Sequence, residues 1–473
     1  MSSMVSLADA SPPIALGALD GRYRAAVAPL IDHLSEAALN RERIRVEVEW
    51  LIHLTTGQIV PNVRALTAGE KARLLAVVED FGTLDVAELA ELERETVHDV
   101  KAVEYFVKRR LAAAGGDADG LAAISELVHF ACTSEDINNL SYALMIKGAV
   151  EQVWLPRATA LVDAIAAMAR ELRDVPLLAR THGQPATPTT MGKEVAVIAY
   201  RLQRQLARIG RTEYLGKLNG ATGTYGAHVA AVPEADWPAI SRTFVESLGL
   251  TWNPLTTQIE SHDWQSELYG DMARFNRILH NLCTDFWTYI SMGYFAQVRG
   301  QGTVGSSTMP HKVNPIRFEN AEANLEVSNA LLDVLASTLV QSRMQRDLTD
   351  SSMQRNIGTA FGHSLLAIDN AGRGLAGLDA VPTAMAADLE ANWEVLGEPI
   401  QSVMRALGAQ GVEGMENPYE RLKELTRGRR ISGADLREFV TSLGLPPDVE
   451  RRFLDLTPQT YVGLAPRLVD YLD

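Results

Sequence analysis

Cysteine is nearly absent: Cys132 and Cys283 are the only two in 473 residues. Two cysteines cannot build a disulfide framework, and no Cys/His spacing of the metal-binding kind surrounds them, so a reducing compartment is expected. Long apolar runs are missing too, since nowhere do about 18 apolar residues follow one another as a membrane span requires. The stretch Met1–Leu19 is broken by Pro12 and Pro13 and lacks the basic start and apolar core of a secretory leader. The cytoplasm is therefore the expected location. Positive charge is scarce, with 44 Lys and Arg against 59 Asp and Glu, a formal net charge of -15. That balance argues against a broad nucleic-acid or anionic-membrane surface. An anionic small ligand would need its basic partners gathered into one pocket. Strict strand-like alternation is rare, and there is neither a low-complexity tract nor a tandem repeat.

What is present is helical periodicity over a chain that is 47% hydrophobic, enough for two or three domains. Apolar residues recur every three or four positions over Ile44–Leu54, Ala68–Phe81 and Met191–Ile209. A longer pattern runs from Leu140 to Leu172 with Pro156 as its expected kink. The clearest begins near Asp263, a candidate N-cap, and places Leu268, Met272, Phe275, Leu279, Leu282, Phe286, Tyr289 and Gly293 on one seam. Continued to about 35 residues it would span roughly 50 Å. Phe318–Arg343 repeats the rule with Leu325, Ser328, Leu332, Leu335 and Leu339. The expectation is an all-α fold of three helical domains, 1–122, 123–374 and 375–473, whose central bundle of long helices packs against copies of itself. The glycines of Gly216–His228 predict an ordered loop or short hairpin, and Gly408–Gly414 reads as a mobile surface loop.

Polar islands interrupt these helices. The densest is Arg299–Pro315, where Gly300, Gly302 and Gly305 free the backbone and Ser306, Ser307, Thr308, His311, Lys312 and Asn314 crowd reactive groups together, as in a lid. Composition alone equally allows a solvated loop. Others are Asp20-Gly-Arg-Tyr23, His98-Asp-Val-Lys101, His129–Asp136, Arg180–Pro188, Thr257–Glu260 and Arg343–Asp350. Each lies near an expected helix end, and in a bundle such ends can converge.

Gly305–Pro315 resembles the signature segment of the fumarase/aspartase superfamily, and Thr181-His-Gly-Gln184 and Thr133-Ser-Glu-Asp136 resemble its two other shared segments, in the same order. Asp20-Gly-Arg-Tyr23, His98-Asp99, Thr257-Gln258 and Lys423–Gly428 are similar to the bacterial branch of the adenylosuccinate lyase family, over residues 11 to 470. The resemblance implies a homotetramer with a twenty-helix core and active sites shared among three subunits. It also implies β-elimination of fumarate from two purine-pathway nucleotides, adenylosuccinate and the succinylated aminoimidazole carboxamide ribotide, with no cofactor and no metal.

By the same resemblance Ser306 is the base, His182 the general acid, Glu319 the partner of His182, and Lys312 and Asn314 bind the carboxylate that takes up charge. A serine is a poor base unless its alkoxide is stabilised, which Lys312 and loop N–H groups can do; Ser307 is its rival. The nucleotide phosphate needs cations, for which Arg22, Arg346 and Arg355 are the candidates, with Tyr23 offering a hydroxyl beside them, and further substrate contacts are expected of His98, Asp99, Thr133, Ser134, Gln258, Asn320 and Ser351. Thr133 and Ser134 could instead cap a helix. Val97 departs from the family pattern, which has asparagine there, so no contact is given to that side chain. His129 either orients the site or is a satisfied core histidine. The alternatives are another lyase of the superfamily, which would need no phosphate site, or a structural protein that has lost its chemistry.

Overall fold

The computed structural model describes residues 15–113, 120–297, 313–426 and 431–473. Among these, strands are only two or three residues long and pair two by two, so the fold is carried by helices. No described helix is long and apolar enough to cross a membrane.

The chain folds into two compact units that alternate along the sequence. The first takes the chain up to Ala158 with Gln205–Arg277 and Ala323–Ala367; the second takes Thr159–Arg204, Ile278–Glu322 and Ile368–Asp473.

In the first unit, the Glu36–Thr56 helix starts where Ser35 Oγ accepts the N–H of Ala38 at 3.1 Å. Its buried stripe runs Leu39, Arg43, Glu47, Trp50, Leu54, so two charged residues occupy positions that the period reserves for apolar ones. Ile44, Val48 and Leu51 pack with Leu74, Leu92, Val103 and Phe106 into an apolar core. Burying each such side chain contributes about 1.5–3 kcal/mol. The Ser134–Gly148 helix continues through a π turn, Ala149–Trp154, into Leu155–Glu171. The π turn precedes Pro156, whose missing N–H and ring cannot be accommodated by a regular helical register. Deeper in, Trp154 Nε1 donates to Ser364 Oγ, which donates to Asn276 Oδ1, while Asn276 Nδ2 donates to Ser328 Oγ and that hydroxyl to Ala360 O. Four buried polar groups on four helices thus satisfy one another.

The seam residues from Leu268 to Phe286 are all buried, but the helix covers Asp263–Ser291, 29 residues, about 44 Å rather than 50. Gly293, expected within the seam, lies beyond the end with φ 76°, the left-handed conformation that closes helices. Leu325, Ser328, Leu332, Leu335 and Leu339 are buried along Ile316–Leu339 as the spacing predicts.

Of the two alternatives for Gly216–His228, the ordered loop holds over 217–225 and the hairpin does not: Leu215–Gly216 pairs in parallel with Thr251–Trp252, and Gly226–Ala231 is helical. In the second unit, Gly408 lies inside the Gly397–Ala409 helix, and only Gly411 and Gly414 take positive φ in the turn after it. Trp393, Leu396, Ile400, Met404, Val440 and Phe453 form the apolar core beneath.

Candidate active site

The first unit holds a cleft of about 360 Å³ whose lining includes His98, Asp99, Ser134, Arg346, Ser351 and Arg355. Residues far apart in sequence, all expected at the site, are thus gathered on one surface. The reason is local: His98-Asp99 starts the Asp99–Ala113 helix, Ser134 starts another, and Arg346–Arg355 surrounds the short Thr349–Gln354 helix. Helix starts leave N–H groups unpaired and favour anions.

The first of these starts is held by His98 Nδ1, which accepts the N–H of Lys101 at 3.2 Å, so the neutral ring carries its proton on Nε2. Burial pushes the Asp99 carboxyl up, but Arg43 at 2.7 Å, the N–H of Val100 and nearby Arg355 outweigh it and hold the group below the usual range. Arg346 is paired with Glu135 at 3.0 Å and donates to Gln258 Oε1 at 3.2 Å and Ser351 Oγ at 3.1 Å. Gln258 in turn donates to Ala221 O at 2.8 Å. Nearby Gly223, at φ 75°, lies against Thr256 O so closely that any side chain would collide. Arg355 is held by Glu36 and also lines a neighbouring groove with Asp20 and Ser35. Arg22 is exposed, its guanidinium 6.0 Å from the ring centre of Tyr23.

At Thr133 the N–H donates to Asp136 Oδ2 at 2.9 Å, so this segment does cap its helix. Asp136 also accepts from Lys217 Nζ at 2.8 Å and from the N–H groups of Asn219 and Gly220, which ties the start of the helix to a distant loop. His129 is satisfied by Glu47, ring to carboxylate at 2.6 Å and backbone N–H to carboxylate at 2.9 Å.

Sequence reasoning missed Arg43, Asn138 and Tyr142, which also line the cleft. Burial pushes the Tyr142 hydroxyl up to about 12 despite Arg43 and Arg355. The signal for Arg43 was a charge on an apolar stripe. Val97 lines the cleft as well, 89% exposed and at φ 52°, a left-handed conformation that costs a β-branched residue.

In the second unit, Arg180–Thr181 pairs with Gln184–Pro185, leaving His182 and Gly183 as a two-residue turn with φ of 52° and 74°. Positive φ at both places is the tight hairpin turn that suits the twist of strands. The imidazole is exposed at the tip. Arg180 anchors the hairpin on Asp388 at 2.6 Å and Tyr294 at 3.1 Å. Glu319 accepts from Trp287 Nε1 at 3.2 Å, and Asn314 and Asn320 begin or adjoin the Ile316–Leu339 helix. Ser306, Lys312 and the rest of the expected lid up to residue 312 lie outside the described residues, as does the end of the Lys423–Gly428 segment.

An all-helical frame with helix starts converging on an arginine-lined cleft fits a lyase, and residues 21–327 match a family model described as Lyase. Residues 342–462 match the model for the adenylosuccinate lyase C-terminal region. Over 458 residues the chain is 49% identical to adenylosuccinate lyase of Escherichia coli, covering 97% of this chain and 98% of that one. It is 48% identical to the Vibrio cholerae adenylosuccinate lyase, again over 97% and 98%. The chain belongs to the adenylosuccinate lyase family. Among solved structures, a fumarate lyase from Mesorhizobium shares the fold with a TM-score of 0.74 at 19% identity, over 94% of this chain and 97% of that one. So does a 3-carboxy-cis,cis-muconate lactonizing enzyme from Pseudomonas putida, with a TM-score of 0.71 at 20% identity, over 94% and 96%.

Proposed function

We propose that the chain cleaves adenylosuccinate to AMP and fumarate, and the succinylated aminoimidazole carboxamide ribotide to its carboxamide and fumarate, in the cytoplasm. The observation that carries this is the gathering of Arg346, Arg355, Ser351, His98 and Asp99 on one cleft in a member of this family. A phosphate-bearing substrate needs such cations, and arginine suits a two-pronged phosphate contact.

The elimination needs a base for the proton next to one carboxylate and an acid for the nitrogen whose bond to carbon breaks. Ser306 takes the proton and His182 gives one to the departing nitrogen, with Glu319 as the partner of His182. The electron pair left on carbon spreads into the adjacent carboxylate, where Lys312 and Asn314 hold the developing charge. It then forms the double bond of fumarate as nitrogen leaves. Thr133, Ser134, Gln258 and Asn320 contact the substrate, and Arg22 and Tyr23 join the phosphate site.

The chain works as a homotetramer, with His182 and the cleft brought together from different copies. Half-exposed apolar side chains on the long helices support this, namely Val327 and Val334 in one unit and Val197, Tyr200 and Trp287 in the other. The test is incubation of the purified protein with adenylosuccinate, following absorbance and assaying fumarate. Equal release of AMP and fumarate is expected. Fumarate from argininosuccinate, malate or aspartate instead would overturn the phosphate site.

A further inference from the structure

We propose that Arg43, Asn138 and Glu135 form a buried positioning relay that fixes Asp99 against Arg346 across the cleft, an inference that rests on the reading of that cleft as the substrate site. The three are only 2%, 8% and 2% exposed. Arg43 Nη2 meets Asp99 Oδ2 at 2.7 Å, and Arg43 Nε donates to Asn138 Oδ1 at 2.9 Å. Asn138 Nδ2 donates to Glu135 Oε1 at 2.8 Å, and the same oxygen meets Arg346 Nη2 at 3.0 Å. Five residues from four parts of the chain therefore form one unbroken line beneath the cleft.

The chemistry of the line is directional. A guanidinium only donates and a carboxylate only accepts, so the amide of Asn138 has one orientation that satisfies both neighbours. Charge alternates along the line, Asp99, Arg43, Glu135, Arg346, with the neutral amide as the joint between the inner two. Buried ion networks are poor devices for stability, since well-packed apolar residues serve as well or better. This one ends at both extremities on residues that face the cleft. Its effect is to add a buried restraint on where Arg346 and Asp99 stand, beside the contacts of Arg346 with Gln258 and Ser351 and of Asp99 with Arg355.

The test is a double-mutant cycle on the full-length protein, with adenylosuccinate turnover and thermal unfolding measured for each variant. Asn138→Leu removes both amide links at similar volume, and Glu135→Gln removes the charge that holds Arg346. Each should raise KM about tenfold while leaving kcat within about threefold, in line with the loss of a hydrogen bond to a charged group. Because the links act in series, the double variant should also show about a tenfold rise rather than a hundredfold one. Multiplying effects, or KM within twofold of wild type in either single variant, would overturn the relay. Should Asn138→Leu fail to fold, Asn138→Asp keeps the contact with Arg43 and runs the same cycle. A wild-type protein inactive on adenylosuccinate would overturn the reading of the reaction and this inference with it; an active one with unmoved KM in the variants overturns the relay alone.

Discussion

Glu36 grips Arg355 with both carboxylate oxygens, at 2.7 and 2.6 Å from one guanidinium nitrogen. Without ligand, an arginine proposed to bind phosphate is therefore already occupied. Both side chains are about half exposed, at 56% and 45%, and ion pairs of that kind contribute about 0–1 kcal/mol. Glu36→Gln should thus lower KM for adenylosuccinate about two- to fivefold with kcat unchanged. Steady-state kinetics at low salt decide it, and an unchanged or raised KM removes Glu36 as a competitor.

Ser306→Ala and His182→Ala should each lower kcat by at least about a hundredfold, the usual worth of a positioned acid or base. The variants should elute from a sizing column at the wild-type position. A change of oligomeric state would move the residue concerned to a structural role.

His129 and Glu47 predict a pH-dependent stability. Burial lowers the imidazole's proton affinity, but the hydrogen bond and charge of Glu47 outweigh it and raise the pKa above the ordinary 6.5. The pair's contribution is thus fully present below 6.5 and fades as pH rises through the raised value. The difference in Tm between wild type and His129→Gln should be largest near pH 6 and shrink toward pH 9. A constant difference would show that only packing is lost.

Val97 supplies a stabilising change. At φ 52° it holds a conformation that asparagine tolerates far better, so Val97→Asn should add about 1 kcal/mol to stability in urea unfolding. A loss of stability would mean that the exposed side chain has contacts that outweigh the strain.

The helices were legible because their apolar residues keep to one period, as at Leu325, Leu332 and Leu339, where burial alone fixes the side that faces inward. Helix ends were less so. Nothing in the seam distinguishes Gly293 from an inner glycine until its positive φ is seen. The parallel pairing of Leu215–Gly216 with Thr251–Trp252 depends on chain more than thirty residues away, which local pattern does not encode. For the site, resemblance supplied His98 and Asp99, and the need for phosphate-binding cations supplied Arg346 and Arg355, all of which the structure places on one cleft. Asn138 escaped because a buried amide looks, in sequence, like an ordinary polar residue of a helix, and the charge of Arg43 on its apolar stripe marks a buried position without naming its partner.

Arg43 meets Asn138 across 95 positions, and Arg355 meets Asp99 across 256 and Glu36 across 319. Pairings so distant along the chain form only after large loops close, and they are slow to form. During synthesis, which starts at the N-terminus, Glu36 waits without its arginine until residue 355 has been made. The cleft is therefore complete only once Arg355 has been made, and a chain shortened before that position can keep its early helices while Glu36 and Asp99 stay without that arginine.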